Sequence, residues 1–119
     1  MGMYTEIYVN VDLEPDTPKK VIDTLKAIAE DDVDNILIKN NKWGYLFSNG
    51  SYYTPLTSCC KLTYDKIAGH YSFLGKGDLK NYYGEIEEFF EFINNYCQDK
   101  FIGYRRYEED ETPTIIYKK

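Results

Sequence analysis

From Glu6 to Leu13 the chain alternates without a break, with Ile7, Val9, Val11 and Leu13 on one side and Glu6, Tyr8, Asn10 and Asp12 on the other. A sustained period of two is the pattern of a strand with one buried and one wet face. Something apolar must therefore cover the Ile/Val side, and two later segments have the pattern to do so. Glu14-Pro15-Asp16 ends the strand, and Thr17-Pro18 reads as an N-cap followed by proline at the first helical position. Val21, Ile22, Leu25, Ile28 and Ala29 then recur at helical spacing, which predicts an amphipathic helix ending in Glu30-Asp31-Asp32. A second stripe, Ile86, Phe89, Phe90, Ile93 and Cys97, belongs to a helix opening at Asn81 or its neighbours, with Glu85, Glu87, Glu88 and Glu91 facing water.

The remaining segments read as strands and turns. Ile36-Leu37-Ile38 is a short strand, and Asn49-Gly50 places a hairpin or loop tip inside the uncharged window from Trp43 to Cys60. Ser58 to Tyr64 and Gly69 to Leu74 form a second hairpin around 65–68, with Thr63 expected opposite His70. That hairpin sends Cys60, Leu62, Tyr64, Tyr71 and Phe73 to the core face and Cys59, Lys61, Thr63, His70 and Ser72 to the other. Gly75-Lys76-Gly77-Asp78 reads as a turn leading to the second helix. Phe101 to Tyr107 and Thr114 to Tyr117 close the chain as two strands joined by the acidic turn 108–113. The order is β-α-β-β-β-α-β-β in a single domain over 1–119. This is an α+β fold, a mostly antiparallel sheet of five to six strands with two amphipathic helices on one face. Two helices cover only one face of such a sheet, so the other is solvated or closed by a partner.

Composition limits the partners. The net charge is −6 with acids and bases interspersed, which argues against nucleic acid, whose phosphates need a clustered positive patch. The window 43–60 is too polar to span a membrane, and the first residues lack the basic and apolar regions of a signal peptide, so none is expected. Cys59, Cys60 and Cys97 are odd in number and fit no CxxC spacing, so reduced thiols in a cytoplasm are expected. With a single histidine and Asp31, Asp32 and Asp34 outside any calcium-loop pattern, no metal or cofactor is expected. Gly75-Lys76-Gly77 fails the phosphate-loop motif, because five residues separate it from Gly69 and Gly77 stands where Ser or Thr should bind magnesium.

His70 is the one obvious catalytic suspect. Acid–base work with Lys61, or with Glu6 or Asp12 of the first strand, would make the protein a small hydrolase or transferase. A Cys–His dyad with Cys59 needs a register other than the expected one. Short of such a pairing, His70 is a polar residue on the open sheet face. The acidic run 108–111 is a charged hairpin tip, or an acidic finger for a basic partner groove.

The excess is in tyrosine. There are 13 Tyr, 6 Phe and 1 Trp, 17% of the chain, yet both helical stripes are built mainly from aliphatic residues and Phe. Tyr4, Tyr8, Tyr45, Tyr52, Tyr53, Tyr104, Tyr107 and Tyr117 fall in strands or loops. Tyrosine combines large contact area with low rotamer cost and one polar end, so surplus tyrosines suit a recognition surface. The residues expected to form one are Trp43, Tyr45, Tyr52 and Tyr53 as anchors, with Lys61, His70, Arg105 and Arg106 as polar partners. Arg105 and Arg106 point to opposite faces of their strand, so one must reach the open side.

Four stretches, Met3-Tyr4-Thr5-Glu6, Asp16-Thr17-Pro18 leading to Val21-Ile22, Leu79-Lys80-Asn81-Tyr82 before Glu85-Ile86-Glu87, and Glu111-Thr112-Pro113-Thr114-Ile115, resemble a family of small phage- and prophage-encoded proteins without assigned activity. The resemblance implies an accessory protein acting in a bacterial host cytoplasm and brings no catalytic residues. The resulting expectation is a non-enzymatic binding protein, a homodimer, that engages a host or phage protein or a small signalling molecule and inhibits host defence. The rivals are the His70 enzyme and a structural virion component.

Overall fold

A computed structural model describes residues 4–30, 35–39, 43, 47, 59–79 and 84–119. Strand β1, Thr5–Asp12, is the centre of a five-stranded sheet, and its burial alternates as its sequence does. Helix α1, Lys19–Ala29, follows, then a single helical turn α2, Ile36–Lys39. Strands β2, Cys59–Asp65, and β3, His70–Leu79, form a hairpin. Helix α3, Glu85–Asn94, leads into β4, Phe101–Tyr107, and β5, Thr114–Tyr117. The sheet order is β2-β3-β1-β4-β5, and every neighbouring pair is antiparallel.

The core lies on the face of β1 that carries Ile7, Val9 and Val11. Against it pack Val21, Leu25 and Ile28 of α1, Ile38 of α2, and Ile86, Phe89, Phe90 and Ile93 of α3. Phe89 sits at its centre, with ring centroids 5.5 Å from Trp43, 5.4 Å from Phe47 and 6.0 Å from Phe73. Edge-to-face packing of this kind adds to the area the rings bury. The chain after α3 is clasped to the end of β1: Glu14 N–H donates to the Tyr96 carbonyl at 2.7 Å, and the Gln98 side-chain amide donates to the Leu13 carbonyl at 2.6 Å.

Four local expectations are corrected. Ile36-Leu37-Ile38 is a helical turn, not a strand. The Asn35 side chain accepts from Leu37 N–H at 2.9 Å and its carbonyl accepts from Ile38 and Lys39, so an N-cap and the burial of Ile38 override β-branched propensity. Gly75-Lys76-Gly77-Asp78 is no turn but the second half of β3, with Gly75 opposite Val9 and Gly77 opposite Ile7. Gly75 makes room on the covered face, where a Cβ would lie 2.8 Å from the Phe47 ring. Helix α1 begins one residue later than expected, with Pro18 at the cap, while the Thr17 hydroxyl donates to the Glu14 carbonyl at 2.6 Å. The β2–β3 register is shifted by two: Thr63 faces Ser72 and Asp65 faces His70, so each residue keeps its expected face. Asn81, the expected start of the second helix, lies outside the described residues. So do Asp31, Asp32 and Asp34, and the tip at Asn49-Gly50.

Candidate functional site

The other face of the sheet presents the outward half of β1's alternation. Among the described residues no helix packs over it. Glu6, Tyr8, Asn10 and Asp12 run down its middle, opposite Asp78, Lys76, Leu74 and Ser72 of β3. On the other side Tyr104 and Arg106 of β4 stand opposite Tyr8 and Glu6. Pairing at this register brings the Tyr8 and Tyr104 rings into a stack, with centroids 5.2 Å apart and planes 17° from parallel.

Polar groups hold the stack in place. The Tyr104 hydroxyl donates to Glu6 Oε1 at 2.7 Å, and Lys76 Nζ lies 3.9 Å from the other Glu6 oxygen. Asn10 Nδ2 donates to the Tyr8 hydroxyl at 3.2 Å, and Ser72 donates to Asp12 at 2.6 Å. Loss of solvent around Tyr104 pushes its hydroxyl up to about 12, and the bond to Glu6 adds to the rise, because both favour the neutral phenol. At neutral pH Tyr104 is therefore a fixed donor. Towards β5 the same face exposes Ile115 opposite Tyr104, and Tyr117 opposite Phe101. The result is a surface of aromatic and aliphatic groups set among oriented charges, with a cavity of about 360 Å³ beside Asn10, Asp12, Asp99 and Phe101.

The eight residues picked from the sequence divide. Lys61 and Arg106 are exposed on this open face, and His70 is half-buried at its turn end. Arg105 points to the helix side and pairs with Glu87 of α3 at 3.4 Å. Trp43, expected as a surface anchor, is 5% exposed and packs against Phe92 at 4.5 Å, so its ring belongs to the core. A large indole in a chain this short is drawn to the core because burying it removes the most apolar area from water. Tyr45, Tyr52 and Tyr53 lie outside the described residues. Tyr8 and Tyr104, which the selection passed over, occupy the centre. Their outward parity was legible in each strand, but nothing local says that β1 and β4 are neighbours.

The His70 ring turns to its own strand. Its Nδ1 lies 3.3 Å from the Tyr71 carbonyl. The carboxylate opposite, Asp65, is committed to the turn, accepting from Ile67 and Ala68 N–H at 2.9 and 3.0 Å. Those bonds hold the Asp65 carboxyl below its usual range. Cys59 pairs with Lys76, six residues along β3 from His70, which is about 20 Å at ~3.3 Å per residue. Cys97 is fully buried, donates to the Ile93 carbonyl at 3.2 Å and is pushed up to about 12 by burial, so it is no nucleophile.

Among the described residues no cluster of three or more His, Cys, Asp or Glu side chains could hold a metal ion. No helix among them is long and apolar enough to cross a membrane. No family model, curated protein or solved structure matches the chain.

Proposed function

We propose that the chain is a non-enzymatic binding protein of a phage or mobile element, engaging a protein of the bacterial host through the open face of its sheet, with inhibition of host defence as the outcome. The observation that carries this reading is the Tyr8–Tyr104 stack, braced by Glu6, Asn10 and Lys76 at the middle of that face. A tyrosine pair already held in one rotamer loses little entropy on binding, which is what a protein-binding anchor requires. The residue resemblance to phage-encoded proteins supports the setting.

The test is site-specific photocrosslinking in phage-infected bacteria. A photoreactive amino acid is placed at Thr63 or Arg106 on the open face, and at Lys26 on the exposed side of α1 as control. A discrete adduct from the open-face positions, lost when Tyr8 and Tyr104 are both replaced by alanine and absent from the α1 position, is expected. Adducts from α1 alone, or an unchanged adduct in the double variant, would remove this face as the binding surface. Heat released on titration with cyclic nucleotides or NAD-derived signals, in place of any adduct, would turn the reading to a small-molecule sink.

A further inference from the structure

The sheet has a second unpaired feature, its β5 edge. Lys118 N–H donates to the Lys100 carbonyl at 2.6 Å, so the even-numbered residues 114, 116 and 118 direct their backbone polar groups at β4. Ile115 and Tyr117 therefore direct theirs outward, and among the described residues β5 has no neighbour on that side. Edge strands of this kind are templates for another strand unless they are blunted. This one is short but apolar, with Ile115 39% and Tyr117 53% exposed. Its charge is polarised: the acidic turn Glu108 to Glu111 precedes it and Lys118 and Lys119 follow it, with the Lys118 ammonium turned to the Cys97 carbonyl at 2.7 Å and to Glu14 of its own chain, so that the charge at this end of the edge is Lys119.

We propose that β5 pairs antiparallel with β5 of a second copy, joining two sheets into one of ten strands about a two-fold axis through Ile116. Polarity decides the occupant. An antiparallel copy sets the lysine end of one strand beside the acidic turn of the other at both ends, whereas a parallel copy sets like on like. Register follows from the hydrogen bonds: with Ile115 opposite the second copy's Tyr117, all four outward N–H and C=O pairs are satisfied and Pro113, which has no N–H, is left out. A two-fold axis of this kind makes the interface isologous. Ile116 then meets its counterpart on the helix side. There a cavity of about 400 Å³, floored by Phe90, Ile102 and Ile116 and rimmed by Glu87 and Glu91, lies between α3 and β5. That groove supplies the side-chain packing that a four-residue strand alone lacks. The dimer is independent of what the open face binds, and it doubles that face in one plane.

Sedimentation of the full chain tests this. A species of twice the 14.0 kDa chain mass is expected. In Ile115→Pro, which removes one outward N–H and leaves the bonds to β4 intact, a folded monomer is expected, with folding checked by circular dichroism. A second variant covers the case in which proline disturbs the strand. Ile116→Cys, in a chain with Cys59 and Cys60 changed to serine, should oxidise to a symmetric disulfide-linked dimer, since directly opposed non-hydrogen-bonded positions lie at about 4.5 Å between Cα atoms. A monomeric parent chain, a dimer that survives Ile115→Pro, or an Ile116→Cys chain that forms no intermolecular disulfide would each overturn the proposal.

Discussion

The two faces of the sheet are made from the same strands and hold different kinds of aromatic at their centres. At the centre of the covered face the rings are Phe47, Phe73, Phe89, Phe90 and Trp43, packed on each other and on aliphatic side chains, with Tyr71 and Tyr96 partly buried at the margin. At the centre of the open face they are Tyr8 and Tyr104, each with its hydroxyl engaged. Burying a hydroxyl without a partner is costly, so phenylalanine goes where no acceptor can reach and tyrosine where Glu6 or Asn10 can. Phe101 is the one phenylalanine outside this division, 39% exposed and cross-strand from Tyr117. The centres of the two faces thus differ, one holding the fold together and the other keeping aromatic area left over.

The sharpest way to break that division is to remove a ring from each side. Phe89→Ala should cost about 3–5 kcal/mol in urea unfolding, because the cavity it leaves is walled by other rings that cannot collapse into it. An equal loss from Tyr8→Ala would mean that the open face is structural after all.

Gly103 probes the place where the two faces share a backbone. The β4–β5 register slips between Phe101 and Gly103, and both Ile102 and Gly103 are buried there. A Cβ at Gly103 would meet the Tyr8 carbonyl. Gly103→Ala should therefore cost about 1–3 kcal/mol, read by the same unfolding. It should also loosen the Tyr8–Tyr104 stack, read as a change in near-UV dichroism.

Smaller still is Tyr104→Phe. It deletes the bond to Glu6 but keeps the ring, so about 1 kcal/mol of stability should be lost. If the hydroxyl only orients the stack, partner crosslinking should fall more than stability does.

The gentlest test is titration. Tyr104 ionises near 12 in the folded chain against 10.0 for a free tyrosine, raised by burial and by Glu6. Folding favours its neutral form, so this contribution is complete below pH 10 and is lost as pH rises towards 12. Phenolate absorbance should show one late-titrating tyrosine that moves down, without reaching 10, in Glu6→Gln, because burial remains. A Glu6→Gln titration indistinguishable from the parent would remove the Glu6 bond from the account.

Much of the architecture was legible because periodicity is local. The alternation of β1, the stripes of α1 and α3 and the final hairpin each follow from side chains a few residues apart. The misreadings differ in cause, remote packing in some and an overlooked local cap in another. Gly75 and Gly77 look like a turn until Phe47 is known to lie over the strand, and Ile36-Leu37-Ile38 looks like a strand until the Asn35 side chain caps it. Trp43 carried the composition of a recognition surface yet went to the core, since the ring that fills its cavity best is chosen by neighbours remote in sequence.

What the chain order alone determined is which side chains each strand and helix turns outward, because backbone geometry sets the periods of 2 and 3.6. It fixed Glu6, Tyr8, Asn10 and Asp12 as one set before any fold was known. Only the tertiary structure decided that β1 would lie between β3 and β4, and with it that Tyr8 would find Tyr104 and Glu6 would meet both Tyr104 and Lys76. Strand order depends on which distant segments bury the Ile/Val face together, a long-range sum that no local pattern records.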